Sequence, residues 1–335
     1  MEKKTYDFSI YIGRFQPFHL GHLESIKFAL KYSKKLIIIL GGAYSSPSPR
    51  GPWNITQRIE MIHSCLSEAE KNKIYFVAIR DRLYCEEKWI QNVQGEVFKI
   101  TNSVSNIAII GHQKDASSYY LKIFPQWEFL ETGNFKSINA TDIRNLLFLK
   151  NDFSKISKSV PKPILKYLVK YSKSNEYNLL KRKFKYIEKN RNKLRSDSVT
   201  NAIIFCNQYI LLLKSKEPLK KDLYSLPEID YLDKEFENNA LENLHNEVTI
   251  GIDKEHLSMS YVSSDFFNYS ERFPLGKQLS KTYLFIIKSD NLPLISTAKN
   301  SLKVMWFLLD DLPFFQDKMY ADHYQIIQKF KKNFY

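Results

Sequence analysis

Cysteine is scarce in this chain of 335 residues: there are three, Cys65, Cys85 and Cys206, and they lie far apart. That spacing excludes a disulfide framework and a cysteine-based zinc cluster. Long apolar runs are missing as well. The densest, at 36–40, has the length of a strand and falls far short of the roughly 20 residues that span a bilayer. The opening MEKKTYDFSIYIGRF has too short an apolar stretch for a signal peptide and no small-residue cleavage site. Neither an internal repeat nor a low-complexity tract occurs. Hydrophobic residues at 44% and charged residues at 26% exclude large-scale disorder. These absences predict a soluble protein of a reducing compartment, the cytoplasm, with no membrane partner. On a prior of about 100–200 residues per domain, the length predicts two domains.

Acidic residues are also in deficit, 36 against 50 Lys and Arg, for a net charge of +14. The excess is local. The stretch 150–195 carries 15 basic and 3 acidic residues, so +12 of the +14 sits there and the rest is nearly neutral. Ile164, Leu165, Leu168 and Val169 recur at helical spacing within it. The plainer reading of 151–195 is a basic helical connector with a solvated face. The sharper one, a surface for polyphosphates or nucleic acid, is not accompanied by any recognised DNA-reading motif.

On either side of this stretch the patterns differ. In 1–150, apolar runs at 8–12, 35–40, 74–79, 106–110 and 127–130 read as buried strands, with helical patterns at 20–32, 56–69, 89–98 and 141–149 between them. Alternation of this kind predicts an α/β domain, a Rossmann-like doubly wound parallel sheet that binds ligands beyond the carboxyl ends of its strands. In 196–335 a hairpin at 201–214, strands at 281–288 and 302–309, and helices at 238–246 and 320–330 predict a mixed α+β domain instead.

The strongest motif follows the first strand: Gly13-Arg14-Phe15-Gln16-Pro17-Phe18-His19-Leu20-Gly21-His22. Two histidines at a helix start, with a glycine between them, place two imidazoles beside backbone N–H groups, a combination suited to triphosphate oxygens. Gly21 permits close approach of the backbone. A lone pair of histidines at this spacing is more often structural; the surrounding GRFQPFHLGH makes the signal specific.

This segment resembles the HxGH nucleotidyltransferases and, within them, the archaeal-type nicotinamide mononucleotide (NMN) adenylyltransferases. The family's second motif, ISxTxxR, is matched by Ile138-Asn139-Ala140-Thr141-Asp142-Ile143-Arg144, with Asn139 for serine. Arg50-Gly51-Pro52-Trp53-Asn54-Ile55-Thr56-Gln57-Arg58 resembles its NPFxxxER segment, and 111–120 with FPQW at 124–127 resembles the same subfamily. The resemblance implies attack by the 5′-phosphate of NMN on the α-phosphorus of ATP, giving NAD and pyrophosphate, with Mg²⁺ on the triphosphate. It implies His19, His22 and Arg144 as catalytic. It places Gly13, Arg14, Phe15, Gln16, Gly21, His112, Lys114, Asp115, Ile138 and Thr141 around ATP. Arg50, Trp53 and Arg58 fall on the NMN side, with Trp53 as a ring to stack on the pyridine.

Residues 196–335 resemble a Nudix domain, and the pairing of the two halves resembles bifunctional NMN adenylyltransferase/ADP-ribose pyrophosphatases. The catalytic box Gx5Ex7REUxEExGU fails, however. In the single ungapped register, Glu228 replaces the first Gly, Lys234 the first Glu, Glu242 the Arg, Asn243 and Asn246 two metal-binding Glu, and Thr249 the last Gly. Only Glu247 survives as a residual metal ligand. The expectation is a Nudix-like domain with little or no hydrolysis, kept as a structural or dimerising module or as a sensor for ADP-ribose. The competing reading has Asp230, Asp233, Glu235 and Glu237 rebuild a metal site.

Three matters stay open at this stage. The acceptor is NMN or nicotinate mononucleotide, and another HxGH acceptor such as phosphopantetheine competes less well. A nucleotide-responsive regulator, with the Nudix-like domain as sensor and the basic stretch on DNA, is the reading from a different class; nucleic acid is the weaker expectation among partners. A homo-oligomer is neither required nor excluded.

Overall fold

The computed structural model describes residues 5–102, 106–112, 123–133, 135, 138–191, 199–229, 248–269, 279–297 and 301–334. It divides into two compact units, Met1–Phe184 and Lys185–Tyr335.

In the first unit the apolar runs form five strands: β1 (Tyr6–Gly13), β2 (Ser33–Leu40), β3 (Ile74–Ala78), β4 (Ile107–Gly111) and β5 (Glu128–Glu131). They pair in the order β3-β2-β1-β4-β5, every pairing parallel. Strand periodicity splits β2 between two cores. Leu36, Ile38 and Leu40 face one apolar cluster, Ile37 and Ile39 the other, and all five are fully buried. Helix α1 (Leu20–Tyr32) packs Leu23, Ile26 and Ala29 into the first cluster; α4 (Glu86–Thr101) packs Val93 and Val97 into the second.

The helix expected over 56–69 is interrupted. α2 (Ile55–His63) stops, and α3 (Glu68–Lys71) restarts from a capping box in which Ser67 and Glu70 satisfy each other's backbone N–H. After β5, α5 (Ala140–Asn145) starts at Asn139, whose side chain accepts from Asp142 N at 2.8 Å. It runs on into a π-helical turn, Leu146–Lys150.

The stretch expected as a connector behaves differently. After α6 (Phe153–Ile156), α7 (Lys162–Tyr171) and α8 (Asn175–Lys189) bury Ile164, Leu168, Tyr171, Tyr177, Leu180 and Phe184 in the first unit's core. Apolar residues at helical spacing are a face that must be covered, and here the Rossmann-like core covers it. The boundary between units therefore falls after Phe184.

The second unit is built on a mixed sheet. β6 (Val199–Cys206) and β7 (Tyr209–Ser215) form the expected hairpin across Asn207, whose φ of 51° gives the tight turn. Short β8 (Tyr224–Ser225) and β9 (Glu228–Ile229) pair with β7 and β6. β10 (Val248–Ile250) pairs separately with β13 (Ile295–Thr297), preceding α9 (Lys254–Met259). β11 (Tyr261–Phe267), β12 (Ser280–Ile287) and β14 (Ser301–Leu308) complete the order β11-β12-β6-β7-β14, in which only β12 and β6 run parallel. The last helix, α10, is His323–Phe334. Among the described residues no helix is long and apolar enough to cross a membrane.

Candidate functional site

The carboxyl ends of β1, β2 and β3 carry Gly13-Arg14, Gly41-Gly42 and, just past β3, Asp81. Arg14 Nη2 lies 3.7 Å from Asp81 Oδ2, and Gly42 N donates to Asp81 Oδ1 at 3.0 Å. Asp81 thus joins three strand ends, and no motif pointed to it. Only the parallel sheet order brings it beside Arg14.

Gly13 is glycine for a packing reason. Phe15, held at φ 52°, lays its ring over it, and a Cβ there would stand 2.8 Å from Phe15 Cζ. His19 caps α1, and its imidazole stacks on that of His22 with ring centroids 3.6 Å apart and an interplanar angle of 20°. His19 N donates to His22 Nδ1 at 3.3 Å, and the Phe15 and Phe18 rings close around His22. A Cβ on Gly21 would come 3.2 Å from the His19 ring, so the glycine between the histidines makes room for the first imidazole. Not every first-turn amide is available to a ligand: Leu20 N already donates to Ser159 O at 3.0 Å.

The second motif docks onto the first. Arg144 Nη1 donates to Gln16 O at 2.7 Å, and its Nη2 to Thr141 Oγ1 at 3.1 Å. His112, just beyond β4, has Nδ1 3.8 Å from a Glu131 carboxylate oxygen. Ile138 is half-buried against the first core cluster, and Arg50 is half-buried in the turn closed by Ser48 N to Gly51 O. Lys114 and Asp115 lie outside the described residues.

Three of the residues expected at ligands serve the scaffold. Gln16 Nε2 donates to Trp53 O at 2.7 Å, and Trp53 N donates to Gln16 Oε1 at 3.0 Å, so a buried amide clips the 50–54 segment to the first motif. Trp53 is 2% exposed, and its ring lies tilted at 55° to that of Tyr171 with centroids 5.5 Å apart. Arg58, 1% exposed, donates through Nη1 to Arg14 O at 2.9 Å and to Gly41 O at 2.7 Å, tying the ends of β1 and β2 together. Burial pulls its guanidinium down to about 10, with Asp81 opposing and Arg14 adding to the shift.

Among the described residues no three His, Cys, Asp or Glu side chains cluster as a metal site. In the second unit, Glu228 of β9 forms an ion pair with buried Lys220, which also reaches Glu217 at 3.1 Å. The other box positions up to Glu247 lie outside the described residues; Thr249 lies within β10.

Residues 10–146 match the cytidylyltransferase-like family. The nicotinamide/nicotinic acid mononucleotide adenylyltransferase of Acinetobacter baylyi is 36% identical over 181 residues, 54% of this chain and 94% of that protein. The nicotinamide-nucleotide adenylyltransferase of Saccharolobus solfataricus is 31% identical over 48% of this chain and 88% of its own. A solved bifunctional NMN adenylyltransferase/ADP ribose pyrophosphatase from Francisella tularensis superposes with a TM-score of 0.88 at 31% identity, covering 98% of this chain and 99% of that one. A second structure from that organism, at 29% identity, holds AMP and a manganese ion. The fold and the loop at the strand ends are those of a nucleotidyltransferase. This chain belongs to the nicotinamide-nucleotide adenylyltransferase family.

Proposed function

We propose that the first unit transfers the adenylyl group of MgATP to NMN in NAD biosynthesis. The observation that carries this reading is the hydrogen bond from Arg144 to Gln16 O, which joins motifs 128 residues apart at the carboxyl edge of a parallel sheet. A 5′-phosphate oxygen of NMN attacks the α-phosphorus in line, the bond from that phosphorus to the bridging oxygen breaks, and pyrophosphate leaves. His19 and His22 donate to the charge that develops at the α-phosphate, while Arg14 and Arg144 neutralise the β- and γ-phosphates. Mg²⁺ enters with ATP and screens the triphosphate. Gly13, Phe15 and Gly21 shape the loop, Gln16 and Arg58 hold it in place, and Arg50 lies toward the NMN phosphate. The reaction runs in the cytoplasm. Incubation with Mg²⁺, ATP and equal NMN and nicotinate mononucleotide, resolved by chromatography, gives NAD as the main product. Deamido-NAD as the main product changes the acceptor and keeps the chemistry, and no dinucleotide at all overturns the reading.

For the second unit we propose a Nudix-like fold without effective ADP-ribose hydrolysis. The match to the bifunctional Francisella structure over nearly the whole chain supports the fold. The replacement of box carboxylates by Lys234, Asn243 and Asn246 supports the loss of activity. Such a unit serves as a structural or dimerising module or as a sensor that binds ADP-ribose without turnover.

A further inference from the structure

Helix α7 carries Lys162, Lys166 and Lys170 four residues apart, so each ammonium is displaced from the last by about 6 Å along one exposed face. Lys158 precedes this row, and Lys173 and Arg182 follow it, all exposed. Between Lys155 and Arg182 the sequence holds a single acidic residue, Glu176. None of the five lysines from Lys158 to Lys173 makes an ion pair among the described residues, whereas Lys155 is taken up by Asp152 at 3.3 Å. The row is rigidly presented, because Ile164, Leu168 and Tyr171 on the opposite face are locked into the first unit's core.

Like charges one turn apart repel each other, and although Glu60 and Glu176 lie near enough to act on Tyr167, neither pairs with a lysine of the row, so a helix that keeps three in register gains from a partner that supplies the counter-charge. We infer that this face of α7 binds the sugar-phosphate backbone of duplex nucleic acid without reading its sequence. Each strand of a duplex offers a phosphate every 3.4 Å or so of axis, about two for each lysine of the row. Ammonium groups are point charges suited to phosphate oxygens, and the row brings no forked donor for base edges. An anionic membrane is the less favoured partner. Helices that lie on membranes sink an apolar face into the lipid, and the apolar face of α7 is already committed to the core.

The test uses the full chain and a fluorescent duplex of arbitrary sequence, about 20 base pairs long, followed by anisotropy from about 50 mM to about 200 mM salt. Binding that weakens linearly on a log–log plot is expected. The triple variant K162E/K166E/K170E should bind about tenfold more weakly or worse at the low-salt end, with a salt slope shallower by about three. Unchanged adenylyl transfer and an unchanged melting temperature in the variant certify its fold. No binding at low salt, equal binding by the variant, or capture by phosphatidylserine vesicles in preference to the duplex would each overturn the inference.

Discussion

The two units use buried polar groups to opposite ends. In the first, five parallel strands put every carboxyl end on one edge, and the buried Gln16 amide and Arg58 guanidinium fix the loops there. In the second, strands run both ways and share no such edge. Its polar groups close on one another: Lys220 on Glu217 and Glu228, and Leu226 N on His323 Nδ1 at 2.9 Å. The same physics that aims a loop in one unit braces a fold in the other. What separates them is whether the topology gathers loops at one place where a ligand can meet them.

The comparison is broken most directly at the histidines. His19→Ala or His22→Ala should lower adenylyl transfer by about 10²–10³, the usual cost of removing one preorganised donor, with the melting temperature nearly unchanged. Near-normal turnover in both variants would move the chemistry away from this edge. The second unit should respond in stability instead. Lys220→Ala strips Glu217 and Glu228 of their shared cation and should cost about 2 kcal/mol, seen as a fall of about 4–8 °C in the unfolding of that unit. Burial pulls the Lys220 ammonium down, but Glu228 and Glu217 more than offset it, so its value is raised above 10.5. A raised lysine stabilises fully below its unfolded value and loses that contribution as pH climbs through the folded one. Wild-type stability should therefore erode more steeply above about pH 10.5 than that of Lys220→Met, as thermal melts across the alkaline range would show.

How much of this was legible in the sequence depended on how local the signal was. All five strands of the first unit fall on apolar-rich runs of the sequence, and the sheet follows from them. β11 went unseen because Tyr-Val-Ser-Ser-Asp-Phe-Phe is half polar and lies at the sheet edge, with Phe266 57% exposed. The apolar period of α7 was readable, but the core it would cover was not. The clip between the Gln16 amide and the Trp53 backbone was not readable, because its two halves lie 37 residues apart. Asp81 is an isolated acid after a strand, and only the order β3-β2-β1 gives it meaning. The break between α2 and α3, by contrast, was written in the Ser67-x-x-Glu70 box and outweighed by the helical pattern around it.

Gly21→Ala sharpens the contrast at smaller amplitude. The added methyl, 3.2 Å from the His19 ring, must push that imidazole by a few tenths of an ångström. A displacement of that size should lower kcat about threefold to tenfold, with KM for ATP changing less, because 1 Å of misplacement costs about 10². An unaltered kcat would mean that the spacing of the His19 ring does not matter to the transfer step.

The smallest expected effect belongs to Glu247, the one carboxylate left at a metal-ligand position of the box. A metal-bridged diphosphate hydrolysis needs several carboxylates on one helical face, since each divalent ion must be held and its bound water activated. Glu247 alone, with Asn243 and Asn246 as neighbours and Lys234 adding like charge, supplies neither. The full chain with Mg²⁺ or Mn²⁺ should release AMP from ADP-ribose at the buffer rate, and Glu247→Gln should leave that rate where it was. A wild-type rate that stands above buffer and falls in Glu247→Gln would show that Asp230, Asp233, Glu235 or Glu237 has joined Glu247 in a rebuilt site, and the second unit would then be a catalyst too.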